Sequence, residues 1–539
     1  MTRNPGILRM PGGRSGARML DEARWGMMLR LALAASAALV LGGCTVGPNF
    51  KAPGWASPAS WFGGPHEQVP QEHSVAVAAP VNPDWWNLFR DAELTKLEDQ
   101  VARQNLDVRT AAIRVVESRA QLAGAESAFF PTLNGNASYT RQKASNVGVF
   151  ASAPNPLGSS GQYGNTTGGL RSANLAPFSV YQAGLGASWQ IDFFGAIRRS
   201  VENAKATVQA TAEAERAALL TSLAEVAQDY IALRGVQTQL RIARENVRTD
   251  EQSLNLTQQR AAGGVTTDLD VANASAQVRT TAAQIPLLQQ QEAADINALS
   301  LLLAEPPNAL RAELADPKPV PPVPPVVPVG LPSELARRRP DIMQAEAQLH
   351  AATANIGVAV AAFYPSVNLA GSFGLQSLQP SQFFHWSARN YATGPGITIP
   401  IFEGGQLRAT LDLRNAQQQE AAINYQKTVL QAWHDVDNAL TAYKTEQARR
   451  DQLVLAVEQN RRALDLAQSR YQQGVSDFLT VLDAERSLLS TEQQLADSTT
   501  TVSENLVTLY KALGGGWETD LPRRADQEPA AAAARAAGG

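Results

Sequence analysis

The chain has 539 residues, 44% of them apolar and only 6% aromatic, with a formal net charge of −4. That is ample for a large core, and without clustered Lys and Arg it leaves no nucleic-acid footprint. The single cysteine, Cys44, excludes an internal disulfide, and His66, His73, His350, His385 and His434 are scattered without metal-ligand spacing. Neither a phosphate-binding loop nor a nucleophile motif is present, so the sequence gives no support for catalysis or for a bound cofactor.

The first element is a leader. Arg30 precedes the apolar run LALAASAALVL at 31–41, and Gly42, Gly43 and Cys44 follow. A positive flank, a short apolar core and small residues make a secretory signal, and the run is shorter than the roughly 18 residues a membrane-spanning helix needs. Asp21 and Glu22 are foreign to such a leader, so Met27 or Met28 is the expected start, and 1–43 the signal peptide. LGGC at 41–44 resembles a bacterial lipobox, which implies a diacylglycerol and an N-acyl chain on Cys44. The alternative is an ordinary signal with a chance cysteine. Residues 44–83, rich in Pro, Ser and Gly and carrying Trp55 and Trp61, read as an extended arm.

The segment 84–316 reads as one structural unit. A helix is expected over about 90–128, with Leu94, Leu97, Val101, Val108, Val115 and Leu122 at helical spacing, ending at Phe129, Phe130 and Pro131. Strict alternation then predicts a strand over about 132–142, with Leu133, Gly135, Ala137 and Tyr139 on one face and Asn134, Asn136, Ser138 and Thr140 on the other. A Gly/Ser/Asn-rich loop leads to a second alternating stretch at about 181–193. Residues 197–262 contain no proline and predict a helix of roughly 100 Å. Its seam, Leu219, Leu223, Val226, Tyr230, Leu233, Gln237 and Leu240, steps by four and three as in a coiled coil. A glycine turn at about 260–268 reverses the chain into a helix over about 268–304.

The proline-rich stretch 317–332 is expected to be polyproline II, without internal hydrogen bonds. Then 333–518 repeats the pattern. Strands are predicted at about 366–376 and 394–402, a long helix from near Gln406 has its seam at Val429, Trp433, Val436, Leu440, Tyr443 and Gln447, and a tip falls at about 470–478. The tips align as RAAGGVTTDLDVANAS (260–275) and RYQQGVSDFLTVLDAE (470–485), so Arg260, Gly264, Val265 and Leu269 match Arg470, Gly474, Val475 and Leu479. Matching seam, turn and strands indicate an internal duplication. The Ala-rich tail 519–539 is expected to be disordered.

Each strand has the length a tilted strand needs to cross a bilayer, with one apolar face. Four strands cannot close a barrel, and an open edge in lipid leaves backbone groups unsatisfied. Other copies must therefore supply strands. Two copies give eight, a barrel filled by its own side chains, and three give twelve, which leaves a lumen. The rival is a soluble four-stranded sheet with one wet face.

CTVGP (44–48), Trp85-Trp86, DFFG (192–195), LARRRPDI (335–342), PIFEGG (400–405) and LYKALGGGW (509–517) together resemble the TolC-like outer-membrane efflux proteins, in the lipoprotein branch also called NodT-type or OprM-type. The resemblance covers nearly all of the mature chain. It implies a mostly α protein with a transmembrane β-barrel, in which each duplicated protomer gives four strands and long helical hairpins. A homotrimer then forms a twelve-stranded barrel continuing into a periplasmic α-helical barrel. It also implies a periplasmic adaptor and an inner-membrane pump, often of the resistance–nodulation–division class. Leu479 and Asp483 correspond to constriction rings, and Arg260, Gly264, Val265, Arg470, Tyr471, Gly474 and Val475 to the tips where the adaptor docks. The first tip departs from that pattern, with Asn273 at the aspartate position. Arg260 and Arg470 are expected either to bind carboxylates at the tip or to be solvated. A lipid-anchored periplasmic coiled coil or adaptor without its own pore is the alternative function.

Overall fold

The computed structural model describes residues 45–54, 74–143 and 177–518. The signal peptide and its start, Cys44, Trp55, Trp61, most of the first-half loop and the tail 519–539 lie outside the described residues. The protein is mostly helical, and it divides into two compact units.

Among the described residues, the first unit takes in 45–50, 122–143, 177–204 and 352–417. Its centre is an antiparallel sheet in which β2 (Thr132–Gln142), β3 (Phe178–Ile191), β5 (Ser366–Ser377) and β6 (Arg389–Thr398) lie side by side in that order. The register brings apolar positions together. Leu133 faces Ala187, which faces Gly371; Leu185 faces Phe373, which faces Tyr391; and Trp189 faces Leu369. Asn134, Gly186 and Ser372, and likewise Ser138, Gln182 and Gln376, line up on the other face. Among the described residues, β2 pairs only with β3 and β6 only with β5, so both outer edges are open.

Two strands differ from expectation at both ends. β3 begins at Phe178, three residues early. β6 spans Arg389–Thr398, shifted toward the loop. Ile399 and Ile401 continue the alternation on paper, but Pro400 has no amide to donate, and the ladder stops before it. The start of β6, RNYATG, carries little apolar alternation to read.

Among the described residues, the second unit takes in 51–54, 74–121, 205–351 and 418–518. The expected first helix is two: α1 (Ala92–Gln104) and α2 (Leu106–Ser127). Asn105 is extended, and its Oδ1 accepts from the amides of Asp107 at 2.9 Å and Val108 at 3.0 Å. A side chain that caps a new helix so well competes with continuing the old one. Then come α3 (Ala196–Ala262), α4 (Asp268–Leu302), α5 (Pro340–Ala361), α6 (Gln406–Gln472) and α7 (Phe478–Leu513), several of which run on into the first unit. α3 and α6 are each 67 residues long, and α4 and α7 are 35 and 36. Seam residues Leu223, Val226, Tyr230, Leu233 and Val436 are fully buried.

The proline-rich stretch is packed down rather than free. β4 (Val326–Pro328) pairs in parallel with β1 (Val75–Val77), and Ser503 donates to the carbonyl of Pro321 at 3.0 Å. Val327 and Val329 are buried, and that burial outweighs the polyproline preference. Three sequence motifs meet nearby. Trp85 stacks on Tyr510 at 5.7 Å and donates to Gly515 O at 3.1 Å, while Trp517 donates to Arg338 O at 2.8 Å. These motifs therefore tie the ends of the helices together.

Candidate functional site

The two hairpin turns have one backbone. Gly264 N donates to Ala261 O and Val265 N to Arg260 O, both at 2.9 Å; 210 residues later Gly474 N donates to Tyr471 O and Val475 N to Arg470 O, again at 2.9 Å. The glycines sit at φ +73° and +78°. This is the left-handed stop that satisfies the last carbonyls of a helix. Each returning helix then starts on a cap. Thr267 and Asp270 bond reciprocally, and Asp477 accepts from Thr480 N at 3.2 Å and Oγ1 at 2.7 Å. A hydrogen bond from Thr266 is the main reason the Asp270 carboxyl is held below its usual range, and bonds from Thr480 do the same for Asp477.

The side chains differ. Tyr471 and Phe478 are buried with ring centroids 5.6 Å apart, in a cluster with Leu464 and Ala467 of α6, Val481, Leu482 and Leu488 of α7, and Ala274 of α4. Their counterparts in the first tip are Ala261 and Asp268. Arg260 crosses between the tips. Its guanidinium lies 4.6 Å over the Tyr471 ring, and Nη1 donates to the Gln472 carbonyl at 3.1 Å. That arrangement is neither of the two expected: an aromatic face and a helix-end carbonyl take the place of a carboxylate. Arg470 is exposed.

Leu479 and Asp483 lie one helical turn apart on α7, and both are exposed, Leu479 by 52%. Leu269 at the equivalent place is 67% exposed, and Asn273 is half-buried. Val265 and Val475 are both 64% exposed. In a single chain, Val265, Leu269, Val475 and Leu479 thus face solvent rather than the core.

Sequence reasoning missed a buried polar layer between the hairpins. Asp250 of α3 accepts from Thr281 of α4 at 2.7 Å, Arg486 of α7 donates to Gln277 of α4 at 3.0 Å, and Glu485 of α7 accepts from Ser253 of α3. Burial, reinforced by repulsion from Asp250, pushes the Glu485 carboxyl up to about 7, and burial raises Asp250 as well. A signal existed: Glu485 falls on the apolar stripe Val481, Leu482, Leu488, Leu489, where a carboxylate is out of place.

Residues 97–305 and 331–515 match the sequence profile of the outer membrane efflux proteins. The chain belongs to the outer membrane efflux protein family. Each matched stretch holds two strands of the sheet and one helical hairpin. Among relatives, the antibiotic efflux pump outer membrane protein ArpC of Pseudomonas putida is 34% identical over 486 residues, 89% of this chain and 94% of ArpC. The solvent efflux pump outer membrane protein SrpC of the same species is 34% identical over 487 residues, 89% of this chain and 97% of SrpC. The solved outer-membrane channel OprN superposes with a TM-score of 0.78 at 32% identity, covering 88% of this chain and 100% of that one. This efflux protein is thus an outer-membrane component of an efflux pump.

Proposed function

We propose that this efflux protein is the outer-membrane channel of a tripartite pump, a passive gated conduit that three copies build together. The observation that carries the reading is the sheet. Its apolar face is exposed, with Leu133, Phe373, Tyr391 and Ile397 each more than half accessible, and among the described residues two edges are unpaired. An apolar face with open edges in water invites aggregation, whereas in a bilayer the face is solvated by lipid and the edges are satisfied by the strands of other copies. Three copies give twelve strands and a lumen lined by the Asn, Ser, Gln and Gly positions.

Helices of 67 residues are roughly 100 Å long, far more than the apolar band of an outer membrane, so they belong in the periplasm. In a trimer, Leu479 would form an apolar ring that excludes water. Asp483 one turn on would form a ring of carboxylates that repel one another and attract cations. The tips, with Val265, Val475, Gly264, Gly474, Arg260, Arg470 and Tyr471, would receive a periplasmic adaptor that connects to an inner-membrane pump of the resistance–nodulation–division class. Acyl chains on Cys44 would anchor the protein in the outer membrane of a Gram-negative cell. The cargo would be small organic molecules of the kinds for which ArpC and SrpC are named. No catalytic step or cofactor is part of this scheme.

The test is the native mass of the protein extracted in mild detergent. Three copies are expected. Two would mean a filled eight-stranded barrel, and one would return the chain to an anchored coiled coil without a pore. Either result would overturn the conduit reading.

A further inference from the structure

The first residues after position 44 are held, not loose. Val46 N donates to Phe194 O at 3.2 Å, just past the end of β3. The Arg199 side chain, 3% exposed, reaches the same segment with three bonds: Nε to Val46 O at 3.2 Å, Nη2 to Gly47 O at 3.3 Å and Nη2 to Asn49 Oδ1 at 2.7 Å. Its Nη1 is held by Glu202 at 2.7 Å, which aims the guanidinium at the arm.

Three glycines let the parts approach. A methyl group on Gly195 would stand 2.5 Å from the Thr45 side chain, one on Gly47 2.5 Å from the Gly357 Cα, and one on Gly357 2.7 Å from the stem of Arg199. Gly195 immediately precedes α3 and Arg199 lies in its first turn, both in the first half of the duplication, and Gly357 comes from α5, in the second. The segment therefore has a seat only when both halves are in place. Phe194 stacking on Tyr364 at 4.8 Å joins the halves at this same end of the sheet. The register sets Ile191 against Val367 and Ser366 against Thr398, so β6 also finishes here, followed by Ile401 and Phe402, which are 94% and 89% exposed. Exposed apolar residues at the end of such a sheet mark the height at which it leaves the lipid.

We infer that Gly195, Arg199 and Gly357 form a socket that docks residues 45–49 at the end of the sheet where β3 and β6 finish, and so tethers there whatever lipid the preceding cysteine carries. The acyl chains then enter the bilayer next to the strands and set the height of the sheet in it. Arg199 acts as a positioning residue in this scheme. The lipid part rests on the lipoprotein reading of Cys44; the docking does not.

Lys51 is exposed and lies just beyond the docked residues. A spin label on Lys51→Cys in the full-length, membrane-extracted protein reads the mobility of the arm. Mass spectrometry of the N-terminal peptide from the same sample reads acylation. The dominant spectral component is expected to be immobilised in the parent and to become mobile in Arg199→Ala and, independently, in Gly47→Ala, which alters only the arm. Native mass checks that each variant still assembles. A parent label already mobile, or one that stays immobilised in both variants, would overturn the socket. A docked but unacylated arm would remove the lipid's role and leave the socket standing.

Discussion

The two hairpin tips are a duplicated backbone carrying two different sets of side chains. Both stop α3 or α6 with a left-handed glycine and the same pair of hydrogen bonds, and both restart on a capping side chain. Only the second tip is anchored by buried rings: Tyr471 and Phe478 stand where the first has Ala261 and Asp268. Only the second carries an aspartate one turn beyond its exposed leucine. The first tip contributes Arg260, which leans on its neighbour. Duplication preserved what ends a helix, while the residues that fasten and charge the tip diverged. One tip is therefore built as an anchored element and the other as its support.

The sharpest way to break that comparison is Phe478→Ala. Removing a buried ring costs about 3–5 kcal/mol at a well-packed site. Asp268→Ala at the matching exposed position is expected to stay within about 0.5 kcal/mol. Chemical denaturation followed by proteolysis of the hairpins measures both. Equal losses would mean that the tips are fastened alike.

Next in size is a dependence on pH centred on Glu485, whose counterpart in the first tip is Ser275. The folded protein holds the Glu485 proton up to about 7, against 4.5 ordinarily. The folded state therefore binds more protons between those values. Stability is full below pH 4.5, falls as pH rises toward 7 and is flat above it, by roughly 3 kcal/mol in all. Asp250 shifts in the same direction and adds to the fall, while Arg486 on the far side of Gln277 opposes it. Melting curves across this range are expected to flatten in Glu485→Gln. An unchanged slope would show that the carboxylate stays ionised and hydrated.

Gly264→Ala and Gly474→Ala sharpen the shared half of the comparison. A methyl group at Gly264 meets open space, and one at Gly474 only the tip of Arg260 at 3.9 Å. The loss should therefore be backbone strain alone, about 1–2 kcal/mol, and the same at both tips. Unequal losses would mean that the turns differ in more than their side chains.

How legible this was in the sequence follows from range. Period-two alternation located the strands at Thr132–Gln142 and Ser366–Ser377, and the glycine turns marked where the long helices stop, because these signals are local. The start of β6 escaped because RNYATG has no apolar face. The break at Asn105 escaped because one capping side chain is a weak signal within helical spacing. Pairing of the proline-rich stretch with Val75–Val77 joins residues about 250 apart, and no local pattern announces it. The same holds for Arg260 on Tyr471 and for Arg199 on the N-terminal arm: each cation looks like any surface cation until the chain is folded. Leu479 and Asp483 were singled out only through resemblance to a family, since an aspartate in the first turns of a helix is favourable through the dipole alone.

Arg260→Ala tests the support role. It removes one contact to a ring and one to a carbonyl, about 1 kcal/mol together at a partly exposed site. Arg470→Ala should be silent. Single-channel recordings in planar bilayers are expected to show longer openings for the first variant and parent behaviour for the second; the reverse would reassign the support to the exposed arginine.

The smallest effect on stability belongs to Asp483→Ala. The side chain is exposed, so the single chain should lose no more than about 0.5 kcal/mol. If the three copies converge here, however, their carboxylates share one axis, and their repulsion and attraction for cations act on whatever passes. Conductance should then rise and cation preference fall, while melting is unchanged. Asn273→Asp is the mirror experiment: it gives the first tip the missing charge without the buried rings. If that charge alters conductance as much as removing Asp483 does, the position on the helix is what matters. If it has no effect, the anchoring of the second tip by Tyr471 and Phe478 is what brings its aspartate to the axis.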